Sequence, residues 1–408
     1  MVTVHPFRAI RPTADLAQQV AVLPYDVIDS DEAAAYAKGN PFSYFHIDRA
    51  EIDCPDIASP YDERVYQTAK VNLTAFLAEG WLVEDEAPAY YLYTLTMNGR
   101  RQTGIVATTS IQEYLDGQIK KHEFTRPEKE VDRMNHIRAC DADTSPIFLS
   151  YRQTPTLKQL VADWQAEVEP MIDFVSFYEV RHQVWPIAEA TFIAQIQQAF
   201  TEVPALYIAD GHHRTESAVK IGLEKRAQGT ATPESERFLA ILFPEDELAI
   251  WEYNRVVKGT VSSDFLEQLT PYFSVEEVPY QKPRQKGEIN LYHERKWYRL
   301  IAKKAIQTSD PVADLDVSLL QNYVIQPMFG IADVRTDKRI DFIGGIRGAD
   351  ELVKRVDSGE WQVAFELYPT QMTDLLAVAD ANQIMPPKST WFEPKLLSGL
   401  FLYALKTN

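Results

Sequence analysis

One stretch limits the folds open to this chain more than any other: the apolar run Ala205–Ala209, which leads directly into the polar pentapeptide Asp210–Arg214. A short apolar run of this kind is typical of a strand that is covered on both faces of a sheet. Thr215–Gln228 then has a helical pattern and ends at Gly229, a residue type that commonly terminates helices. The sequence therefore predicts a strand–loop–helix unit within a mixed sheet, in a fold of the α/β (α+β) class.

The remaining segments continue this mixture of helices and strands. Tyr61–Leu77 has apolar residues at broadly helical spacing. Tyr90–Met97 and Gly104–Thr109 are rich in β-branched and aromatic residues, and the Asn98-Gly99 dipeptide between them predicts a β-hairpin. Residues 118–145 are instead crowded with charged side chains, so we interpret them as an exposed segment or as the lining of a site.

The length of 408 residues is sufficient for two domains. We predict that residues 1–260 form the first domain, with a long excursion over about 60–200 that contains the hairpin. Residues 261–408 are predicted to form a smaller C-terminal α+β domain. Met385–Lys395 fits neither helix nor strand, because its prolines restrict both.

Charge and cysteine content exclude several classes of partner. The net charge of −18 leaves no uniformly positive face for a nucleic acid or for anionic lipid, so we expect neither nucleic acid nor membrane as a partner. Cys54 and Cys140 are the only cysteines, which predicts neither a disulfide framework nor a zinc finger.

No signal peptide can be drawn over residues 1–20, and no apolar run reaches membrane-spanning length. We therefore expect a cytoplasmic protein.

The pentapeptide has the composition of an anion-binding site. The end of a buried strand that leads into a helix is where α/β sheets gather ligands, because the first N–H groups of the helix favour an anion. Gly211 lets the backbone approach a ligand, Arg214 offers a bidentate fork to phosphate, and the two histidines can donate hydrogen bonds or charge. Asp210 can hold Mg²⁺ or accept a proton. The alternative is that Asp210 only caps the helix while the histidines are solvated.

Two carboxylates near the N-terminus are weaker candidates. Glu32 could orient a substrate amine or act as a catalytic base, but it lies three residues after Asp29 and fits a helix capping box equally well. Asp26 has a similar balance between a role in a turn and a role in a site.

Polar residues elsewhere in the chain are further candidates for a metal or phosphate site. His122 and Glu123 could contribute to a metal or phosphate site, although a solvated charged loop explains them more simply. Lys388 and Lys395 flank the proline-rich loop and could reach a phosphate. His182 alternates within a strand and fits a structural histidine better than a ligand.

Short motifs that together form a specific pattern are spread over much of the chain: His5–Pro12, Pro24–Ile28, Asn40–Phe42, His122, Asp132-Arg133, Ala209–Arg214, Asn254–Val257 and Met385–Thr390. In these residues the chain resembles the domain-of-unknown-function family 1015 of bacteria and archaea. Asp210–Arg214 after a strand is more remotely similar to the ParB/sulfiredoxin superfamily, whose corresponding junction binds nucleotide phosphates and whose free serine kinase branch phosphorylates the hydroxyl of a small amino acid. This chain departs from that branch by its long excursion before the motif and by its large C-terminal portion.

The resemblance implies a role for each residue of the motif. Asp210 resembles the catalytic acidic residue of the kinases, while the following residues resemble their phosphate-binding positions. With the candidates above, the expected catalytic residues are Asp210 and Glu32, and the expected metal ligand is Asp210. The residues expected to bind the nucleotide are Gly211, His212, His213, Arg214, Thr215, His122 and Lys388.

Three functions remain in competition at this point. The first is a nucleotide-dependent phosphotransferase that uses ATP or ADP with Mg²⁺ and acts on a small hydroxylated metabolite such as serine. The second is a metal-dependent hydrolase of a phosphoester with Asp210, His212, His213 and His122 as ligands. The absence of an His-Glu-x-x-His helix from the sequence argues against this second function. The third is a non-catalytic nucleotide-binding regulator. The P-loop and dinucleotide-binding glycine patterns are absent, and a homodimer is left open.

Overall fold

The structure, a computed structural model, describes residues 1–57 and 59–406. Its contacts divide the chain into two compact units. The first comprises Met1–Lys120, Phe124–Leu248 and Pro394–Asn408, and the second comprises Lys121–Glu123 and Ala249–Glu393. The domain boundary expected between residues 260 and 261 stays a prediction, and residues 58, 407 and 408 of the predicted domains lie outside the described residues.

The strands are β1 Val4–His5, β2 Ile10–Pro12, β3 Leu82–Glu84, β4 Tyr90–Met97, β5 Arg100–Ser110, β6 Ile119–Lys120, β7 Ala142–Asp143, β8 Ile147–Tyr151, β9 Ile172–Ser176, β10 Val180–Ile187, β11 Leu206–Asp210, β12 Arg237–Pro244, β13 Ile250–Trp251, β14 Tyr253–Val257, β15 Phe273–Glu277, β16 Glu288–His293, β17 Lys296–Ala302, β18 Ile340–Gly344, β19 Val363–Leu367, β20 Trp391–Phe392 and β21 Tyr403–Ala404.

The α-helices are α1 Ala17–Val20, α2 Ser30–Ala37, α3 Phe45–Asp48, α4 Glu63–Ala78, α5 Ile111–Leu115, α6 Pro127–Cys140, α7 Pro155–Glu167, α8 Ala190–Phe200, α9 His212–Gln228, α10 Phe265–Leu269, α11 Asp316–Leu320, α12 Gln326–Phe329, α13 Gly348–Asp357 and α14 Met372–Asp380. A π-helical turn, Gln321–Ile325, joins α11 to α12.

The first unit is built on a nine-stranded mixed sheet, which confirms the predicted fold class. The order along the sheet is β6-β11-β8-β12-β5-β4-β10-β9, and β1 also pairs with β5. The predicted hairpin is β4 and β5, with the turn at Asn98-Gly99 in the left-handed region. The apolar run forms β11, which is parallel to β6 and antiparallel to β8. Leu206 and Ile208 of β11 are fully buried, and each stabilises the fold by about 2 kcal/mol.

An irregularity at the end of β11 positions the pentapeptide. Ile208 pairs with Leu149 and Asp210 pairs with Phe148, so the register shifts at Ala209. A bulge of this kind bends a strand and changes the direction of the side chains that follow it. Helix α9 then begins at once and packs against α6.

The charged segment 118–145 is largely buried or half-buried. This differs from one of the two interpretations of its sequence, which expected an exposed segment. Half of the segment forms helix α6, whose N-terminus carries Pro127 at a position that favours helix initiation. Four polar side chains of this helix are buried: Glu130, Asp132, Arg133 and His136. The sequence lacks an apolar stripe here because ion pairs, and not hydrophobic side chains, fill much of the buried face.

The second unit contains a six-stranded antiparallel sheet in the order β15-β17-β16-β19-β14-β18 and a separate β13–β20 pair. One face of this sheet packs on α13 through a hydrophobic cluster of Val256, Tyr292, Ile343, Leu352, Trp361 and Ala364. This unit has an α+β composition, and a C-terminal domain of residues 261–408 stays a prediction. Among the described residues, no helix has both the length and the apolar character that crossing a membrane requires.

Candidate functional site

The junction between β11 and α9 is formed by Gly211, which lies in the left-handed region at φ +94°. Gly211 is the N-cap residue, and its carbonyl accepts hydrogen bonds from the backbone N and from Oγ1 of Thr215 at 2.9 and 3.1 Å. Within the described part of the chain, no side chain caps α9. Asp210 instead accepts a hydrogen bond from the backbone N of Gly211 at 2.8 Å. The structure therefore argues against Asp210 as the helix cap.

Asp210 is paired with a lysine from the far end of the chain. Lys395 Nζ lies 3.0 Å from Asp210 Oδ2, and the lysine side chain is 13% exposed. Burial alone would raise the pKa of Asp210, but the positive charges of Lys395 and Arg214 outweigh it and hold this pKa below its ordinary value. The carboxylate is consequently ionised at neutral pH.

Arg214 is 8% exposed and points into the first unit. Its Nη1 donates to the carbonyl of Pro146 at 2.6 Å, and its Nη2 lies 3.5 Å from Asp26 Oδ2. Its Nε is buried and has no hydrogen-bond partner among residues 1–57 and 59–406. A Cβ added to Gly211 would lie 3.3 Å from this Nε, so the glycine leaves space directly beside an unpaired donor.

His213 is held in one tautomer by a backbone contact. The backbone N of Arg126 donates to His213 Nε2 at 3.0 Å, so this nitrogen acts as an acceptor and the ring proton is on Nδ1. Burial and the charge of Arg126 lower the pKa of His213. The His213 ring is thus neutral at pH 7 and can donate one hydrogen bond. The neighbouring His212, in the first turn of α9, is buried, with 6% of its surface exposed.

A layer of buried charges lies behind Arg214. The Arg133 guanidinium stacks on the Tyr25 ring at 3.9 Å and pairs with Asp132 at 3.0 Å and with Asp48 at 3.3 Å. A cavity of about 20 Å³, enough for one water molecule, lies beside Arg133 and Arg214. The residues that line the cavity are Arg133, His136, Ile137, Asp143, Thr144, Ser145, Ile147, Arg214 and Ala218.

Three predicted site residues have other surroundings. Glu32 is exposed and completes a capping box with Asp29, as the alternative interpretation expected, and its catalytic role stays a prediction. His122 and Lys388 belong to the second unit. There the carbonyl of His122 accepts a hydrogen bond from the backbone N of Met385, and the carbonyl of Lys388 accepts one from Arg255 Nη2.

The residues that support the pentapeptide are not among the expected site residues. Lys395 and Asp26 are candidates outside the expected site, and neither Arg133 nor Asp48 has a role predicted from the sequence. Pro24–Ile28 and Asp132-Arg133 are among the segments that carry the family resemblance, and that signal could have identified Asp26 and Arg133. Periodicity gives no corresponding signal for Asp48.

The metal ligand set of the hydrolase hypothesis is not assembled around Asp210. Within residues 1–57 and 59–406, Asp210 does not belong to any group of three His, Cys, Asp or Glu side chains whose ligand atoms lie within 4.8 Å of one another. A Mg²⁺ ion that arrives with a nucleotide needs only one or two carboxylates in addition to phosphate oxygens and water. The Asp210 carboxylate is therefore compatible with a Mg²⁺ ion that binds together with a nucleotide.

The chain belongs to the family described as Protein of unknown function (DUF1015), whose model matches residues 4–318. No curated protein matches it.

Among solved structures, the chain is similar to a free serine kinase in complex with AMP, with 13% sequence identity and a TM-score of 0.38 over 74% of this chain and 91% of the kinase. It is also similar to SbnI with a C-terminal truncation from Staphylococcus aureus, with 13% identity and a TM-score of 0.41 over 74% and 90% of the two chains. A conserved hypothetical protein from Pyrococcus furiosus has 13% identity and a TM-score of 0.35 over 73% and 95%. TM-scores below 0.5 do not define a shared fold, and no functional conclusion follows from these similarities.

Proposed function

We propose that the β11–α9 junction binds the phosphate groups of a nucleotide, ATP or ADP, and that the protein transfers a phosphoryl group to the hydroxyl of a small metabolite. The observation that carries this proposal is Arg214 Nε, which is buried, has no partner within the described residues, and lies beside the space left by Gly211. Buried donors in native proteins nearly always have an acceptor. Because Arg214 Nε has no acceptor within the described residues, an anionic ligand that accepts its hydrogen bond is favoured.

The charges around the junction support phosphate as that anion. The first N–H groups of α9 have no side-chain cap within the described residues, and a helix N-terminus favours negative charge. Arg214 and Lys395 add two positive charges, and His213 adds the Nδ1 donor. Phosphoryl transfer depends mainly on positioning and on neutralising the charge of the transferred group, which is the chemistry that these donors can supply.

Asp210 is better suited to holding charge than to removing a proton. A general base is most effective when its pKa is near the working pH, and Lys395 and Arg214 depress the pKa of Asp210. In a loose phosphoryl-transfer transition state a strong base contributes little. We therefore assign Asp210 to the nucleotide-bound Mg²⁺ and to orienting Lys395. When bound, that ion would neutralise charge on the phosphates.

The transfer step forms one bond to phosphorus and breaks another. The acceptor hydroxyl oxygen forms a bond to the terminal phosphorus while the bond between this phosphorus and the departing nucleotide oxygen breaks. The hydroxyl proton passes to water, because the depressed pKa of Asp210 makes its carboxylate a weak proton acceptor. The resemblance of the motif to that of the free serine kinases makes serine the first acceptor to test.

The proposal is tested by adding ATP or ADP, with and without Mg²⁺, to the full chain together with serine and other small hydroxylated metabolites, and by following phosphoryl transfer by ³¹P NMR. Asp210→Asn is compared with Asp173→Asn, whose carboxylate pairs with Arg181 on the surface. We expect Asp210→Asn to keep nucleotide binding while turnover falls by about a hundredfold or more, and Asp173→Asn to behave as the unmodified protein.

Other outcomes distinguish the competing functions. Nucleotide binding without transfer to any acceptor would support the regulator, and metal-dependent release of phosphate from a phosphoester without nucleotide would support the hydrolase. A protein whose thermal stability does not respond to any nucleotide would contradict the proposal, because a ligand that binds only the folded state must raise the unfolding temperature.

A further inference from the structure

Arg255 of β14 is a buried cation in the second unit. It is 4% exposed. Its Nη1 donates to the carbonyl of Tyr253 and its Nη2 to the carbonyl of Lys388, the latter at 2.9 Å. Its guanidinium lies 5.4 Å from the centre of the Phe342 ring. Because a guanidinium has five N–H donors, these two hydrogen bonds leave donors available.

Within residues 1–57 and 59–406, no carboxylate oxygen lies within 4.0 Å of the Arg255 guanidinium nitrogens, whose hydrogen bonds go to backbone carbonyls. Burial lowers the pKa of Arg255 to about 9, and the nearby Tyr253 hydroxyl offsets this only in part. Burying a charge without an opposite charge costs several kcal/mol. A fold that retains such a cation gains stability from any anion that reaches it.

Lys388 supplies a second positive charge beside the Tyr253 ring, which packs against the Phe342 ring. Its φ of +58° belongs to the left-handed region, and the loop around it is fixed by a hydrogen bond from Ser389 Oγ to the carbonyl of Pro386 at 2.6 Å. Lys388 Nζ lies 5.2 Å from the Tyr253 ring centre. The side chain is exposed, so its ammonium can contact a ligand without a change in the fold.

We propose that Arg255 and Lys388, each beside one of the two adjacent rings of Phe342 and Tyr253, form an oxyanion-binding site in the second unit for a ligand that carries a phosphate or a carboxylate group. The rings of Tyr253 and Phe342 lie 5.8 Å apart, and each is in contact with one of the two cations. Arginine and lysine both bind oxyanions, arginine through its fork and lysine as a point charge. The inference concerns this unit alone and does not depend on the proposed phosphotransferase activity.

Hydrogen–deuterium exchange of the full chain tests the site, with inorganic phosphate in one arm and malonate in the other. Peptides that cover 385–392 report on the Lys388 loop, while peptides that cover 206–216 report on the β11–α9 junction. The variants are Lys388→Ala and, as a matched control, Lys354→Ala, an exposed lysine of the same unit whose Nζ lies 3.7 Å from Glu351.

We expect at least one anion to protect 385–392 from exchange, and the concentration required to rise by about tenfold in Lys388→Ala, the effect of one charge-assisted contact, but not in Lys354→Ala. Protection by phosphate alone identifies a phosphoryl ligand, and protection by malonate alone identifies a carboxylate. No protection of 385–392 by either anion, or equal protection in Lys388→Ala, would overturn the proposal, whatever happens at 206–216.

Arg255→Met provides an independent measurement. If Arg255 is an anion ligand without a counter-ion, replacing it with an apolar side chain of similar length leaves the Tm without anion unchanged or higher. The Tm increase caused by the protecting anion should at the same time be lost. A variant that folds and keeps the full anion-dependent increase would contradict the assignment of Arg255.

Discussion

Lys395 Nζ lies 3.0 Å from Asp210 Oδ2, although 185 residues separate the two along the chain. The C-terminal segment of the chain thereby brings a positive charge to the start of α9. This contact, together with Arg214, holds the pKa of Asp210 below its ordinary value and keeps the carboxylate ionised over a wide pH range.

The first prediction is that Lys395→Met moves the acid limb of the pH–rate profile to higher pH. Removing the ammonium raises the pKa of Asp210, so protonation abolishes the ionised carboxylate at a higher pH than in the unmodified protein. The measurement is kcat/KM for phosphoryl transfer against pH. Lys225→Met, which removes a lysine paired with Asp141 elsewhere in the first unit, is the control. An acid limb that does not move in Lys395→Met would mean that Asp210 ionisation does not limit the reaction.

Arg214→Ala should weaken nucleotide binding more than any change at a surface arginine. The substitution removes the unpaired Nε and a buried positive charge, and we expect Kd to increase by about ten- to a hundredfold. Arg138→Ala removes a surface arginine that pairs with Glu224 and should leave Kd unchanged. Calorimetric titration with ATP and ADP measures both. Equal affinities in the two variants would remove Arg214 from the phosphate site.

Two glycines at opposite ends of α9 offer a matched comparison. Gly211 and Gly229 both have positive φ, at +94° and +70°, but an added Cβ would approach Arg214 Nε only at Gly211, and at Gly229 it would meet no described atom within 4 Å. Alanine at either position should destabilise the fold by about 1 kcal/mol because of the backbone conformation.

Only Gly211→Ala should also impair nucleotide binding, because its Cβ would occupy the space beside Arg214. Urea unfolding gives the free energy of unfolding of both variants, and titration with nucleotide gives the affinity. If Gly229→Ala lost affinity to the same extent, the loss would be a consequence of stability and not of the space at Gly211.

The strand–loop–helix unit could be predicted from the sequence because each part has a local cause. The apolar run Ala205–Ala209 predicts the buried strand and Gly229 the end of the helix, although the helix begins at His212 and not at the predicted Thr215. The hairpin was predicted for the same reason, since Asn98-Gly99 determines its own turn.

The partners of the site could not be predicted in the same way. Lys395 reaches Asp210, and Arg133 reaches Asp48 across 85 residues, and no periodicity relates residues so far apart. The charge of residues 118–145 favours an exposed segment or the lining of a site, because charge normally marks the surface, whereas Asp48 and Asp132 neutralise Arg133 in the interior. Burial of a charge depends on a partner that only the tertiary structure supplies.

The last prediction concerns Asp143, a buried carboxyl group of the first unit. Burial raises the pKa of Asp143 to about 7, and the hydrogen bond that Leu239 N donates to Oδ2 at 2.9 Å offsets this only in part. In the unfolded chain the pKa is the ordinary 3.8. Between these two values the folded state retains a proton that the unfolded state has released, so this group makes the free energy of unfolding decrease as pH rises from about 4 to about 7.

Asp143→Asn removes this titration while keeping an acceptor for Leu239 N. The difference in free energy of unfolding, variant minus unmodified protein, should therefore increase with pH up to about 7 and then remain constant, with a total change of at most about 4 kcal/mol. Urea unfolding at several pH values between 4 and 8.5 measures this difference. His136 lines the same cavity. Because burial lowers the pKa of His136, this residue makes the free energy of unfolding increase as pH rises. Subtracting the two curves cancels that contribution, so a difference that stays constant from pH 4 to 8.5 would show that Asp143 is ionised in the folded protein throughout.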